Sequence, residues 1–186
     1  METGVPDGAR HISTLYQRER ESEDAFIYRI GGELRAFTAR TGFEGCGNIC
    51  ASADRRLGIL LFTDASQLAC RDRGGCPLGM SPVGNSIHSH PASAPIRYNQ
   101  NDVASINGRS SRKAEVGQAQ VIYNGGRFSK LDYKHGPGYL VYGDALLHQR
   151  GKGTQRQVGW IPPLAAAPQA PQPAGCADGV GAREAR

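Results

Sequence analysis

His88 and His90 stand one residue apart in the run Ile87-His88-Ser89-His90-Pro91. Side chains of an extended segment alternate between its two faces, so both imidazoles would emerge on one side and could converge on a single point. Asp102, further along, could complete a three-ligand set. Two imidazoles with one carboxylate suit zinc better than magnesium or calcium, which want oxygen ligands. Three protein ligands plus a water form the open arrangement of catalytic zinc, which lowers the pKa of that water to about 7. A His-x-His pair also arises by chance on loops and strand faces, and this chain has 5 histidines. The surroundings favour the metal reading. Residues 83–87 can lead in as a strand, Pro91 stops that strand from continuing into a sheet interior, and residues 98–102 read as a loop entering a helix.

The scaffold must place these groups. Residues 13–24 are highly charged, with Ser13 or Thr14 available as a cap, and predict a short helix. Residues 25–30 and 33–38 are two β-prone runs separated by Gly31-Gly32, which predicts a hairpin. Residues 41–54 read as a loop with a short strand at 48–51. Residues 57–63 form an apolar run, a buried strand or the start of a helix, and 71–82 return to loop. After the His-Ser-His strand, a helix beginning at Val103 is interrupted by Gly108. Strands follow at 116–123, 139–142 and 144–148, with Asn124-Gly125-Gly126 and Gly136-Pro137-Gly138 as turns.

A chain of 186 residues has room for one domain with a real core. Apolar runs such as Ile59 to Phe62 are far too short to span a bilayer, and no basic region followed by an apolar core opens the chain, so a signal peptide is not expected. Between Val103 and Trp160 there are nine Lys or Arg against three acids, an excess that accounts for the whole net charge of +5. Such a stretch could attract an anionic partner, but no basic motif interleaved with aromatics accompanies it, and specific nucleic-acid binding is not expected. Cys46, Cys50, Cys70 and Cys76 lack the spacing of a zinc ribbon, and reduced thiols are the default without a signal peptide. An oxidising destination would favour disulfides of Cys46 or Cys50 with Cys70 or Cys76. The composition changes beyond Trp160 to a Pro, Ala and Gln tract. The organisation expected is therefore a loose N-terminus over residues 1–12, a domain over 13–160 and a disordered tail over 161–186.

These residues resemble the JAB/MPN zinc metallopeptidase superfamily, in which a glutamate far upstream precedes a His-x-His and then a Ser-x-x-Asp at the start of a helix. His88-Ser89-His90-Pro91 matches the central element, its proline included. Within the superfamily the chain is most similar to JAB-like domains of unassigned function in bacterial polymorphic and secreted toxins. That narrower likeness rests on Phe26-Ile27-Tyr28-Arg29-Ile30-Gly31-Gly32 with Thr38 and on Pro137-Gly138-Tyr139-Leu140-Val141, and the whole covers roughly residues 13–155. The resemblance implies an α/β fold in the α+β sense: a curved, mostly antiparallel sheet with a few flanking helices and a cytidine-deaminase-like core. It implies His88, His90 and Asp102 as zinc ligands, with one residue more than usual between His90 and Asp102, an insertion a loop absorbs easily. Asn99 stands where the family has serine, and its amide can donate a hydrogen bond to a developing oxyanion.

A carboxyl group must also take a proton from the metal-bound water and return it to the leaving amine. Glu23 precedes the 26–30 run, as in the toxin-like group, and Glu21 shares its strand parity. Glu44, in Glu44-Gly45-Cys46-Gly47, resembles the Glu-x-Cys-Gly of other bacterial members. Each is otherwise an exposed charge, Glu21 and Glu23 above all. The expectation is a Zn2+-dependent peptidase or isopeptidase, acting on a protein or peptide. The likeness to toxins implies an immunity or chaperone protein as partner, and a cytoplasmic origin with export by a dedicated secretion machine. The runner-up is a catalytically silent module that binds through its basic surface.

Overall fold

The computed structural model describes residues 5–71, 74–92, 95–109, 111, 113–121 and 125–162. Most of the expected tail, residues 163–186, lies outside the described residues, as do positions 122–124 of the expected strand and turn.

The first element, β1 (Arg10–Tyr16), is a strand where a loose end and then a charged helix were expected. Its second half, Ser-Thr-Leu-Tyr, is β-prone, and it pairs antiparallel with β3 (Leu57–Thr63), setting Leu15 opposite Ile59. The helix comes later. Residues 23–41 form α1 (Glu23–Thr41), which replaces the expected hairpin. Phe26, Ile27, Ile30, Leu34 and Phe37 recur at helical spacing and are buried on one face. Ser22 caps the helix by accepting from the Ala25 N–H at 3.2 Å, Glu23 and Asp24 complement its dipole, and Gly42 ends it with a φ of 72°. Gly31 is central to the helix because space is short there: a Cβ would stand 3.0 Å from Ile161 Cδ1. Each large side chain on this face contributes roughly 1.5–3 kcal/mol by burial.

Next come β2 (Cys46–Ala51), β3 and β4 (Ser81–His90), then β5 (Pro95–Arg97), α2 (Gln100–Asn107), β6 (Ala119–Val121) and α3 (Asp132–His135). The chain finishes with β7 (Gly138–Tyr142), β8 (Ala145–Gln149) and β9 (Arg156–Trp160). The main sheet has seven strands in the order β1-β3-β2-β4-β7-β8-β9, and β5 and β6 form a separate pair. Every pairing in it is antiparallel except β4 with β7, which run parallel and set His88 opposite Leu140. The fold is thus α+β, with a mixed sheet and few helices. A parallel pair needs a crossover, and this one carries β5, α2, β6 and α3. The crossover brings a wall of irregular chain to the end of β4 where the histidines are.

All of β3 is buried, which settles the apolar run as a strand inside the sheet. The core packs α1 against this sheet, with Phe26, Ile30 and Leu34 meeting Ile49, Ile59, Leu61, Ile87 and Val141. Ile161, just past the expected domain boundary, is buried in the same core, and its N–H bonds Asp144 O at 2.7 Å. Four cysteines are oxidised, against the default of reduced thiols: Cys46 pairs with Cys70 and Cys50 with Cys76. Both bridges tie β2 to the segment after β3. With partners 24 and 26 positions apart in sequence, each is worth about 3 kcal/mol through the entropy it removes from the unfolded chain.

Candidate metal centre

Alternation along β4 separates two tasks. Ile87 and Ser89 are fully buried under α1, while His88 and His90 point the other way, with side chains 13% and 16% exposed. The two rings lie with centroids 4.9 Å apart at the edge of a cavity of about 330 Å³, and Phe128 meets His88 edge-on. His90 Nδ1 lies 2.7 Å from Gly125 O. A carbonyl only accepts, so Nδ1 carries the proton and Nε2 keeps its lone pair for a ligand or ion. His88 Nε2 is buried with no partner among the described residues. Burial first, then the neighbouring His90, lowers the His88 pKa to about 4, and burial lowers that of His90 as well. Both imidazoles are therefore in the neutral form that binds metals.

The carboxylate that joins them is Asp132. Its Oδ1 lies 3.8 Å from His88 Nε2, and His88, His90 and Asp132 each offer one ligand atom, all within 4.8 Å of one another. At 3.8 Å the His88–Asp132 approach is too long for a hydrogen bond. An orphaned, buried imidazole nitrogen facing a carboxylate fits an ion held between them, so this group could hold a metal ion. Asp132 is fixed by a reciprocal pair of bonds with Ser129, whose N–H donates to Asp132 Oδ2 at 2.5 Å and whose Oγ accepts from the Asp132 N–H at 3.3 Å. Ser129-Lys130-Leu131-Asp132 is itself a Ser-x-x-Asp. That spacing was the signal available in the sequence, but it stands 30 residues downstream of the expected register at Asn99 and Asp102, and its position in the crossover hid it.

No protein-family model, curated protein or solved structure matches this chain. The site must be read from its own chemistry.

Asp102 occupies a different place. It is fully buried, and its carboxylate accepts from Ser66 Oγ at 2.7 Å, Gln67 N at 2.7 Å, Gln67 Nε2 at 2.9 Å and Asn99 N at 2.9 Å. Asn99 Oδ1 accepts from Asn101 N and Asp102 N, so Asn99 and Asp102 make a capping box at the start of α2. The Asn99 amide donates to Ala65 O at 2.9 Å. Four bonds satisfy the carboxylate of Asp102, and the pair anchors α2 to the segment after β3.

Of the glutamates, Glu44 is the one beside the histidines. Its Oε1 lies 3.7 Å from His90 Nε2, and the residue is 7% exposed. Burial, then the charges of Asp132 and Asp102, raise its pKa well above the ordinary value, with Arg109 opposing the rise. Ser89 fixes its position. Ser89 Oγ lies 2.6 Å from Thr38 Oγ1 and accepts from the Gly45 N–H at 3.0 Å, tying α1, β4 and the residue after Glu44 together. Glu23 opens α1 and lines a separate cavity with Tyr139, His148 and Arg156. Glu21 is held by Arg29, at 2.8 and 2.7 Å, which brings its pKa down to about 2.

Proposed function

We propose that this protein is a zinc-dependent hydrolase of amide bonds, a peptidase or isopeptidase with a JAB/MPN-like arrangement, in which His88, His90 and Asp132 hold the metal. The observation that carries this reading is the meeting of two neutral imidazoles and one carboxylate at a cavity with Glu44 next to His90. Zinc suits the donor set, and when bound it polarises a carbonyl and lowers the pKa of a coordinated water to about 7.

The protein's own groups supply the rest. His90 is held in its ligating tautomer by Gly125 O. Glu44 takes a proton from the attacking water and returns it to the amine as the C–N bond breaks, giving a carboxylic acid and a free amine. Its raised pKa derives from burial first and then from the charge of Asp132, a repulsion that a cation held by the three donors would offset. Glu44 is thereby brought towards the range where one carboxyl can both accept and donate. The two disulfides support an oxidising place of work, in keeping with an exported effector.

Zinc content per chain tests the site. Protein loaded with zinc and desalted is expected to retain one equivalent, and His88→Ala with His90→Ala, or Asp132→Ala alone, to lose it. Asp102→Asn should keep the metal in whatever fraction stays folded. Stoichiometric zinc in the double histidine variant would sink the proposal. Loss of metal from folded Asp102→Asn, with Asp132→Ala unaffected, would move the third ligand to Asp102.

A further inference from the structure

Two arginines reach the lining of the metal cavity, and only one of them has a carboxylate partner among the described residues. Arg71 and Arg109 both line it, and Asp132 is the only carboxylate among its described lining residues. Arg71 is spoken for: its Nε donates to Asp64 Oδ2 at 3.1 Å and its backbone N–H to the same oxygen at 2.8 Å. Arg109 is not. It follows Gly108 at the end of α2, it is exposed, and no carboxylate among the described residues forms an ion pair with it. A divalent cation held by the three donors would outweigh the single charge of Asp132 before Arg109 is counted. Inside a concave, partly desolvated site such an excess favours an anionic group on whatever enters.

We infer that the cavity selects amide substrates carrying a carboxylate close to the scissile bond, and that Arg109 binds that carboxylate. The planar guanidinium fork matches a carboxylate through two parallel N–H bonds, which a lysine in its place would not do. The inference rests on the amide-hydrolase reading. The carboxylate could be the free C-terminus of a peptide or the side chain of an Asp or Glu, and the two sources share this chemistry.

Three fluorescent peptides of one length separate them: an amidated neutral peptide, the same peptide with a free C-terminus, and the amidated peptide with a single Glu. Binding is measured by anisotropy to zinc-loaded Glu44→Gln protein, and cleavage by the protein with Glu44 intact. At least one carboxylate peptide should bind roughly tenfold more tightly than the neutral one. Arg109→Ala should abolish the difference, Arg109→Lys should restore only part of it, and Arg109→Glu should invert it. The peptide that gains identifies the source. Equal binding of all three, or a preference that survives Arg109→Ala, overturns the inference. Cleavage without preference overturns it while leaving the hydrolase intact. A preference that depends on Arg109, with no peptide cleaved, supports the anion site and tells against the hydrolase.

Discussion

Burial disfavours the charged form of both Glu44 and His88, raising the pKa of the one and lowering that of the other, and a metal ion would act on both. For Glu44 the shift has a sign that can be checked without any substrate. A carboxyl whose pKa is raised in the folded state binds its proton more tightly there than in the unfolded chain. Its contribution is complete below the unfolded value, near 4.5, and is lost as pH rises towards the folded value. Metal-free wild type should therefore lose stability relative to Glu44→Gln as pH rises above 4.5, in denaturant titrations run at several pH values. A difference that stays flat with pH would show that the carboxyl is not confined as described. In zinc-loaded protein the same substitution should retain the metal and lower the rate about 10²- to 10⁴-fold. The histidines were legible from period-two alternation alone. The carboxylate that joins them was not, because Asp102 and Asp132 each stand three residues after a short polar side chain that accepts from their backbone N–H. Only the fold shows that one carboxylate has all its lone pairs engaged and the other faces a bare imidazole.

Ser89 links the elements that carry the site. Its hydroxyl meets α1 at Thr38 and the backbone of Gly45, just before β2, so one side chain sets the distance from Glu44 to the two histidines that flank it. Ser89→Ala would leave the buried Gly45 N–H without that acceptor, at a cost of about 1–3 kcal/mol. Thermal denaturation should show the loss, and turnover should fall beyond what the unfolded fraction explains while zinc content holds. Unchanged turnover in the folded fraction would make Ser89 a core residue only. The α1 element also shows why local pattern misled. Gly31-Gly32 between two β-prone runs looks like a turn, yet Phe26, Ile30, Leu34 and Phe37 keep the 3.6-residue period, and the glycine gives Ile161 room to pack. That reason lies 130 residues away and was invisible to any window on the sequence. The strands β4, β7 and β8 were easier, because apolar runs bounded by Gly and Pro carry their own boundaries, whereas 57–63 stayed open between strand and helix and the short polar β5 and β9 gave no such signal.

At the scale of the whole molecule, the two disulfides join the sheet to the same loop but to different ends of it, and this separates stability from function. Cys70 and the adjacent Arg71 line the metal cavity, whereas Cys76 does not. Both bridges span loops of similar length, so breaking either should cost about 3 kcal/mol and lower Tm by roughly 10 °C in a chain of this size. Their effects on the site should differ. Cys46→Ser with Cys70→Ser frees one wall of the cavity, with the Arg71–Asp64 contact next to it, and should raise KM or weaken zinc binding even at temperatures where the variant is fully folded. Cys50→Ser with Cys76→Ser frees chain further from the histidines and should lower Tm alone. Differential scanning calorimetry beside zinc titration resolves the two. Equal damage to the site from both pairs would mean that the loop moves as one body, and that the sheet, through β2, holds the cavity wall as a single unit.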